Sequence, residues 1–415
     1  MKWWVFQIGA REHYAVPRAL AKVGMLGGLV TDFWVPTGSR SAKFYRSQRM
    51  RDRFHPDLKE ERVQSFNLRM GAFEVGLRLR RPVGMTGVMA RNERFQRLAV
   101  KRLRRLPAGC EVTVFSYSYA AREIFRYARS RGWQTVLGQI DPGPEEERIV
   151  REEWERETRL RADWAPAPER YWNFWREEVK LADHVLVNSE WSRECLSKDG
   201  VPGDKLRVLP LVFSHDEETL GGSGGELVDV EGRPLAGRGG EGERPLRLLF
   251  LGQINLRKGV ARLLDAMRLL RGEPVELILA GPSAIDPAAW ADLPAVKWVG
   301  PVPRSRVAGY YRDADLFILP TLSDGYALTQ LEAMAHGLPV LASRYCGEAV
   351  RAGENGFIIE DVSAEGIAAA ICEARELLPL GGVRAPDFTL DDLARELQRM
   401  RPAGGLARVH DGRLG

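Results

Sequence analysis

Two stretches of the chain open in the same way. "KWWVFQIGA" and "LRLLFLGQI" are continuous apolar runs that close at Gly9 and at Gly252, and each is followed by a helical pattern, Val16 to Val23 and then "GVARLLDAMRLL". An apolar run without alternation predicts a strand covered on both faces, as in a parallel sheet. Further runs of this kind are "EVTVFSYS", "WQTVLGQI", "DHVLVNSE" and "KLRVLPLV" in the first half, and "VELILAGP", "VKWVGPV", "DLFILPT" and "PVLASRY" in the second. Helical patterns separate many of them. This alternation predicts an α/β protein with two doubly wound, Rossmann-like domains. Between the halves lies a Gly-rich, apolar-poor segment, "SHDEETLGGSGGELVDVEGRPLAGRGGEGERP". The expected division is a first domain over 1–212, a linker or insertion over 213–244, a second domain over 245–375, and a final part over 376–415. That last part holds an amphipathic helix, "FTLDDLARELQRM", and a loose Gly/Arg-rich tail.

Composition narrows this picture only a little. The 415 residues are 44% hydrophobic and 28% charged, as in ordinary globular proteins, and suffice for two domains. No apolar run is long enough to span a bilayer, and the N-terminus reads as a buried strand rather than a leader. The four cysteines, Cys110, Cys195, Cys346 and Cys372, are widely spaced, which points to free thiols in a reducing cytoplasm. Charge is more telling. From Gly38 to Leu106 there are 19 Lys and Arg against 6 Asp and Glu. Basic segments dotted with Phe suit an anionic membrane surface, and the stretch 40–105 is the candidate for peripheral contact. The rival reading is a solvated, Arg-rich helical face. No nucleic-acid motif accompanies the charge, so nucleic acid is not expected as a partner.

The chemistry concentrates in "DLFILPTLSDGYALTQLEAMAHGLPVLAS". A buried strand ends at Pro320, a polar turn holds Gly325, and a helix runs from about Leu328 to His336 before Gly337 and Pro339 stop it. Gly325, Tyr326, Ala327 and Leu328 therefore sit where free N–H groups and the positive helix end meet, a place for phosphate or sugar hydroxyls. Asp324 and Glu332 are separated by seven residues. The bland reading is an ordinary strand–turn–helix.

This string resembles the E-x7-E signature of the family-four (group 1) retaining glycosyltransferases with the GT-B fold. The resemblance is clearest over Leu246 to Glu360 and fainter over Met1 to Val212. It implies two Rossmann-like domains facing across a cleft, with a nucleoside-diphosphate sugar held mainly by the second. It also implies that Asp324 faces the donor sugar and Glu332 the ribose. Asp324 stands for the usual Glu and Ala327 for a second Gly. "LLFLGQINLRKG" is similar to the family's loop that sets an Arg and a Lys against the diphosphate. Lys258 matches the Lys, Gln253 replaces the usual Arg, and Arg257 precedes the Lys. Fixed cations there stabilise the leaving group as its charge grows. The alternative is solvated surface charge. Gly252, Gly281, Gly300, Pro301 and Val302 lie at strand ends on the same rim, the last three as base-pocket candidates.

In the first domain the resemblance places Gly9, Arg11 and His13 on the acceptor side. The family's usual histidine has no clear match. Gln139 or Ile140 stands where it is expected, Asp141 follows, and Ser116, Tyr117 and Ser118 occupy the other common position. Asp141 is the weaker catalytic candidate beside Lys258, Arg257 and Asp324, its rival role being a turn residue. Ser189 reads as a helix N-cap. "PEEERIVREEWERE" reads as a solvated charged helix, with Glu145 or Glu146 placed to touch an acceptor.

The implied activity is transfer of a sugar, with retained configuration, to an acceptor hydroxyl on a glycan or lipid-linked acceptor in cell-envelope polysaccharide or glycoconjugate synthesis. No cofactor is expected, and no metal, since no DxD-like or His/carboxylate set falls in a suitable loop. The rivals are a nucleotide-sugar epimerase of the same fold and a non-catalytic nucleotide-sugar binder. A Rossmann dehydrogenase is disfavoured because no G-x-G-x-x-G follows a strand. The expected setting is cytoplasmic, at the inner face of a membrane.

Overall fold

The computed structural model describes residues 1–36, 50, 52–81, 84–160, 162–213 and 244–400. The linker, apart from its two end residues, and the tail beyond Met400 lie outside them, as do parts of the basic stretch.

The first sheet has seven strands: β1 (Lys2–Gln7), β2 (Leu26–Thr31), β3 (Val63–Ser65), β4 (Val112–Tyr117), β5 (Gln134–Gly138), β6 (His184–Val187) and β7 (Leu206–Val208). Their order is β3-β2-β1-β4-β5-β6-β7, and every pair is parallel. The second sheet has six: β8 (Leu246–Leu251), β9 (Val275–Ala280), β10 (Val296–Gly300), β11 (Leu316–Leu319), β12 (Val340–Ser343) and β13 (Gly356–Ile359). Their order is β10-β9-β8-β11-β12-β13, again all parallel. In each sheet the first strand is central and the winding reverses beside it. Ligands of doubly wound sheets bind at that reversal, outside the carboxyl ends of the strands. The loops after β1, β4, β8 and β11 are therefore the places to look for chemistry.

The central strands are buried throughout, as their unbroken apolar runs require: Val5, Phe6, Val114, Phe250, Phe317 and Ile318 are at most 1% exposed. The sequence pattern passed over β2, β3 and β13. In β2 the cause is Gly27 and Gly28, which interrupt the apolar run. A Cβ on either would come within 2.8 Å of the Trp4 indole, so the large ring of β1 selects glycine on its neighbour.

Two segments cross between the domains. The helix Leu390–Arg399 starts at a capping box of Thr389 and Asp392. Its Leu393, Ala394 and Leu397 join the core of the first domain, alongside Val16, Ala19 and Leu20 of the helix Ala15–Lys22. Gln134 Nε2 donates to the Met400 carbonyl at 3.2 Å. In the other direction Leu160 is buried in the core of the second domain, and Asp163 N donates to the Ala284 carbonyl at 2.9 Å.

Candidate active site

After β8 the backbone turns at Gly252 and runs through Gln253 to Asn255, whose side chain accepts from Lys258 N at 3.1 Å. This cap starts a short turn, Leu256–Lys258, that ends at Gly259. Gly259 has φ 70°, and a Cβ there would lie 1.9 Å from the Pro320 carbonyl oxygen. Only glycine lets this turn press against the end of β11. The press is fastened by Leu322 N and Thr321 Oγ1, which both donate to the Arg257 carbonyl, at 2.9 and 3.0 Å. The two loops are thus one unit, and Lys258 and Arg257 are aimed by it.

Both cations meet Asp324. Lys258 Nζ donates to Asp324 Oδ2, and Arg257 lies 3.3 Å from the same oxygen. Arg257 also donates to the Ser323 carbonyl at 3.2 Å. Although burial alone would raise it, Lys258 and then Arg257 hold the Asp324 carboxyl below its ordinary value.

The first domain closes on this unit. Glu146, in the helix Pro144–Arg156, lies 3.7 Å from Arg257 and accepts from Ser323 Oγ at 3.2 Å. Trp191 Nε1 donates to that hydroxyl at 3.1 Å. Gly325 sits so near the first domain that a Cβ would come 2.8 Å from Asn188 Nδ2 and 2.9 Å from the Ile140 carbonyl. Burial raises the Glu146 carboxyl, Asp141 and Asp324 raise it further, and Arg257 and the Ser323 hydroxyl pull it down.

Asp141 lies at the end of β5, beside the position where the family's histidine was sought. Its Oδ1 accepts from Tyr119 Oη at 2.6 Å, Gln139 Nε2 at 2.9 Å and Gly143 N at 3.0 Å. Gln139 is itself set by Trp175 Nε1, which donates to its Oε1 at 3.0 Å. Burial raises Asp141, while the Tyr119 hydroxyl, Gly143 N–H, Arg11 and Arg257 lower it. Asp141 is thus held in a network rather than serving only as a turn residue.

Between the domains is a cavity of about 400 Å³. Asp141, Glu146 and Glu147 line it with Arg257, Gln253, Tyr119 and Trp172. The wall is aromatic: Tyr119 stacks on Tyr171 at 4.6 Å, and Trp172 meets Tyr171 edge-on at 5.0 Å.

The remaining predicted residues lie around this centre. Gly252, Gly281 and Gly300 stand side by side along the rim: Gly281 N donates to the Gly300 carbonyl at 2.8 Å, and a Cβ on Gly281 would strike the Gly252 carbonyl oxygen at 1.9 Å. Pro301 and Val302 follow at the same rim. Tyr326 is buried against Gly347, and Ala327 N donates to the Cys346 carbonyl at 3.2 Å, so that one amide is already engaged. Leu328 begins the helix Leu328–Ala335. Glu332, one turn in, accepts from Tyr311 Oη at 2.9 Å, and Tyr311 stacks on His336. Gly9 (φ 87°) donates its N–H to Asp32 Oδ1 at 3.0 Å, and Arg53 donates to the same oxygen at 2.7 Å. Arg11 lies over the Tyr117 ring. Glu12, His13 and Tyr14 all have φ between 48° and 60°, a costly run for residues with a Cβ.

Sequence reasoning underrated the helix Pro144–Arg156. One face is solvated as expected, with Arg148, Arg151, Glu152 and Glu155 exposed, but the other is not. Glu153 is 1% exposed and accepts from Arg262 of the second domain at 2.7 Å, while Glu145 pairs outward with Arg148. The available signal was the helix start at Gly143–Pro144, directly after a cleft-facing strand. The roles of Tyr119 and Trp191 carried no sequence signal. Ser189 caps its helix as expected, accepting from Ser192 N at 3.0 Å.

Residues 245–376 match the family described as glycosyl transferases, group 1. The D-inositol 3-phosphate glycosyltransferase of Jonesia denitrificans is 31% identical over 175 residues, which are 36% of this chain and 41% of that protein. The amylovoran biosynthesis glycosyltransferase AmsK of Erwinia amylovora is 30% identical over 201 residues, 45% of each chain. The matches thus span less than half the length of these relatives. Among solved structures, Anabaena HepE in complex with UDP and glucose superposes with a TM-score of 0.52 at 14% identity, covering 96% of this chain and 94% of that one. The fold is GT-B, two doubly wound domains facing across a cleft.

Proposed function

We propose that a chain with this fold and this second domain is a retaining glycosyltransferase, moving a sugar from a nucleoside-diphosphate sugar to an acceptor hydroxyl. The observation that carries the reading is the convergence of Lys258 and Arg257 on Asp324, at the strand ends where the two winding reversals face each other. A bound diphosphate would take over the two cations, freeing Asp324 to accept from a donor-sugar hydroxyl. The bond between the anomeric carbon and the diphosphate oxygen breaks. The acceptor oxygen bonds to that carbon on the same face, and its proton goes to the departing phosphate. Negative charge on the leaving group peaks in the transition state, so cations fixed beforehand act there most strongly. We place Asp141, which Gln139 holds by a hydrogen bond, beside the donor sugar, where the family's histidine would make its contact. We assign the ribose to Glu332 and the base to the rim at Gly300, Pro301 and Val302.

The acceptor is a glycan or lipid-linked glycan in cell-envelope polysaccharide or glycoconjugate synthesis, met in the cytoplasm at the inner face of a membrane. No helix among the described residues is long and apolar enough to cross a membrane. The four carboxyl groups in the cavity, those of Asp141, Glu146, Glu147 and Asp163, against Arg257 already shared with Asp324 and Glu146, favour a neutral, hydroxyl-rich acceptor end over a phosphorylated one. The aromatic wall suits a sugar ring.

The test is calorimetry with UDP, GDP, ADP and their sugars, followed by turnover of the donor that binds. Binding of one nucleoside diphosphate and transfer of its sugar, unchanged by a chelator, supports the reading. A second reading, a binder without turnover, is motivated by Gln253, exposed at the place of the family's Arg. Slow release of free sugar from the donor separates the two, since a binder leaves the donor intact.

A further inference from the structure

The helix Asn67–Arg80 is apolar on two faces. Its inner face carries Met70, which packs with Phe33 and Leu98, and Phe73 and Leu77, both half-buried. On the same helix Glu74 accepts from Arg91 Nε at 2.5 Å and Nη2 at 2.9 Å, fastening it to the helix Thr86–Leu103. The outer face carries Leu68, Ala72, Val75 and Leu79, which recur at i, i+4, i+7 and i+11 and so form one stripe. Leu68 is 88% exposed, Val75 60% and Leu79 81%. A helix at the edge of a fold needs one apolar stripe, and here no element among the described residues covers the second. Exposed arginines flank it, Arg69 and Arg80 on one side and Arg78 on the other, with Arg81 at the helix end.

We infer that this outer face lies on an anionic bilayer surface, with Leu68, Val75 and Leu79 in the acyl boundary and Arg69, Arg78, Arg80 and Arg81 among the headgroup phosphates. Helices that lie in the interface combine an apolar face with basic flanks in this way. Charge selects the occupant. A second copy placed stripe to stripe would bring two rows of arginine together, whereas anionic lipid answers both features at once. The inference deepens the membrane-side setting proposed above by giving it a surface. It is independent of the sugar-transfer chemistry, which can be measured in solution with a soluble acceptor.

The experiment is co-sedimentation of the full chain with vesicles of phosphatidylcholine alone and of phosphatidylcholine with phosphatidylglycerol. Binding is expected to the mixed vesicles at low salt, weakening as salt rises. The variant Leu68→Ser/Val75→Ser/Leu79→Ser should bind at least ~10-fold more weakly, with an unchanged melting temperature because these side chains touch no core. Each of Arg69→Gln, Arg78→Gln and Arg80→Gln should cost roughly fivefold. Three results would overturn the inference: no binding to mixed vesicles, equal binding by the serine variant, or a dimer that the serine variant disperses. Equal binding by the serine variant would leave the basic stretch as the membrane contact and sink only the stripe, and none of the three outcomes bears on turnover.

Discussion

Lys258 and Glu146 show how one side chain's setting decides its contribution. Lys258 was singled out in the sequence through the resemblance of its loop, where it stands directly before the turn glycine Gly259 and after a buried strand. Lys258→Ala is expected to lower kcat by more than tenfold while changing the donor KM much less, since it acts on charge that develops in the transition state. Equal effects on both would place Lys258 in ground-state binding. Glu146 was read only as one of two acceptor contacts, and its place beside Arg257 was hidden, because a charged helix looks solvated until the opposing domain is in place. Its carboxyl is raised in the fold above its ordinary value of 4.5. Between the ordinary value and the raised one, the unfolded chain has released a proton that the folded chain keeps. The fold therefore loses stability as pH rises through that window. Glu146→Gln removes the loss, so its melting temperature should gain on the parent's progressively from about pH 4.5 upward. A constant difference across pH would mean that Glu146 does not titrate in this range. Glu332→Ala is expected to weaken nucleoside-diphosphate binding itself. An unchanged affinity would remove the ribose assignment.

At the scale of elements, the loops after β8 and β11 act as one part because glycine permits it. Gly259→Ala puts a methyl group where the Pro320 carbonyl stands, in a left-handed conformation. The loops must separate, and we expect a cost of about 2 kcal/mol or more in stability, read by urea denaturation, together with a loss of donor binding. Unchanged binding would show that the press between the loops does not aim Lys258. A second element depends on a single carboxylate. Glu178 accepts from Tyr119 N, Ala121 N and Arg122 N at 2.6, 2.8 and 3.0 Å, and so caps the helix Arg122–Ser130 from outside. Glu178→Ala leaves buried amides without acceptors and should cost on the order of 3 kcal/mol. It should also loosen Tyr119, hence Asp141. Sequence periodicity cannot show such a cap, because donor and acceptor are more than fifty residues apart. It did show the long unbroken strands, since burial on both faces leaves no polar positions to blur them.

For the whole molecule, the two-sheet architecture was the most legible feature, since a run that ends in glycine before a helix occurs twice. The contacts between the sheets were the least legible. Leu160, a first-domain residue buried in the second domain, and the pair Arg262–Glu153 depend on how the halves meet, and no local pattern records that. The helix Leu390–Arg399 shows the same dependence. Leu393→Ser/Leu397→Ser is expected to unseat this helix and destabilise the first domain by several kcal/mol, while nucleotide binding to the second persists under mild conditions. Loss of both together would mean that the domains unfold as one unit.

That returning helix also bears on the order in which the protein is made. A domain whose residues are contiguous can fold as soon as it clears the ribosome, and the N-terminal one usually leads. Here the first domain keeps a place for Leu393, Ala394 and Leu397, which are among the last described residues to be synthesised. During translation its sheet must wait with an open seat on the helix Ala15–Lys22, while the second domain has all of its own strands in hand first. The first domain is therefore finished only after the strands of the second have been synthesised, and an mRNA truncated within Leu390–Arg399 would yield a product with a complete second sheet and an exposed apolar groove on the first domain, a ready target for chaperones and proteases.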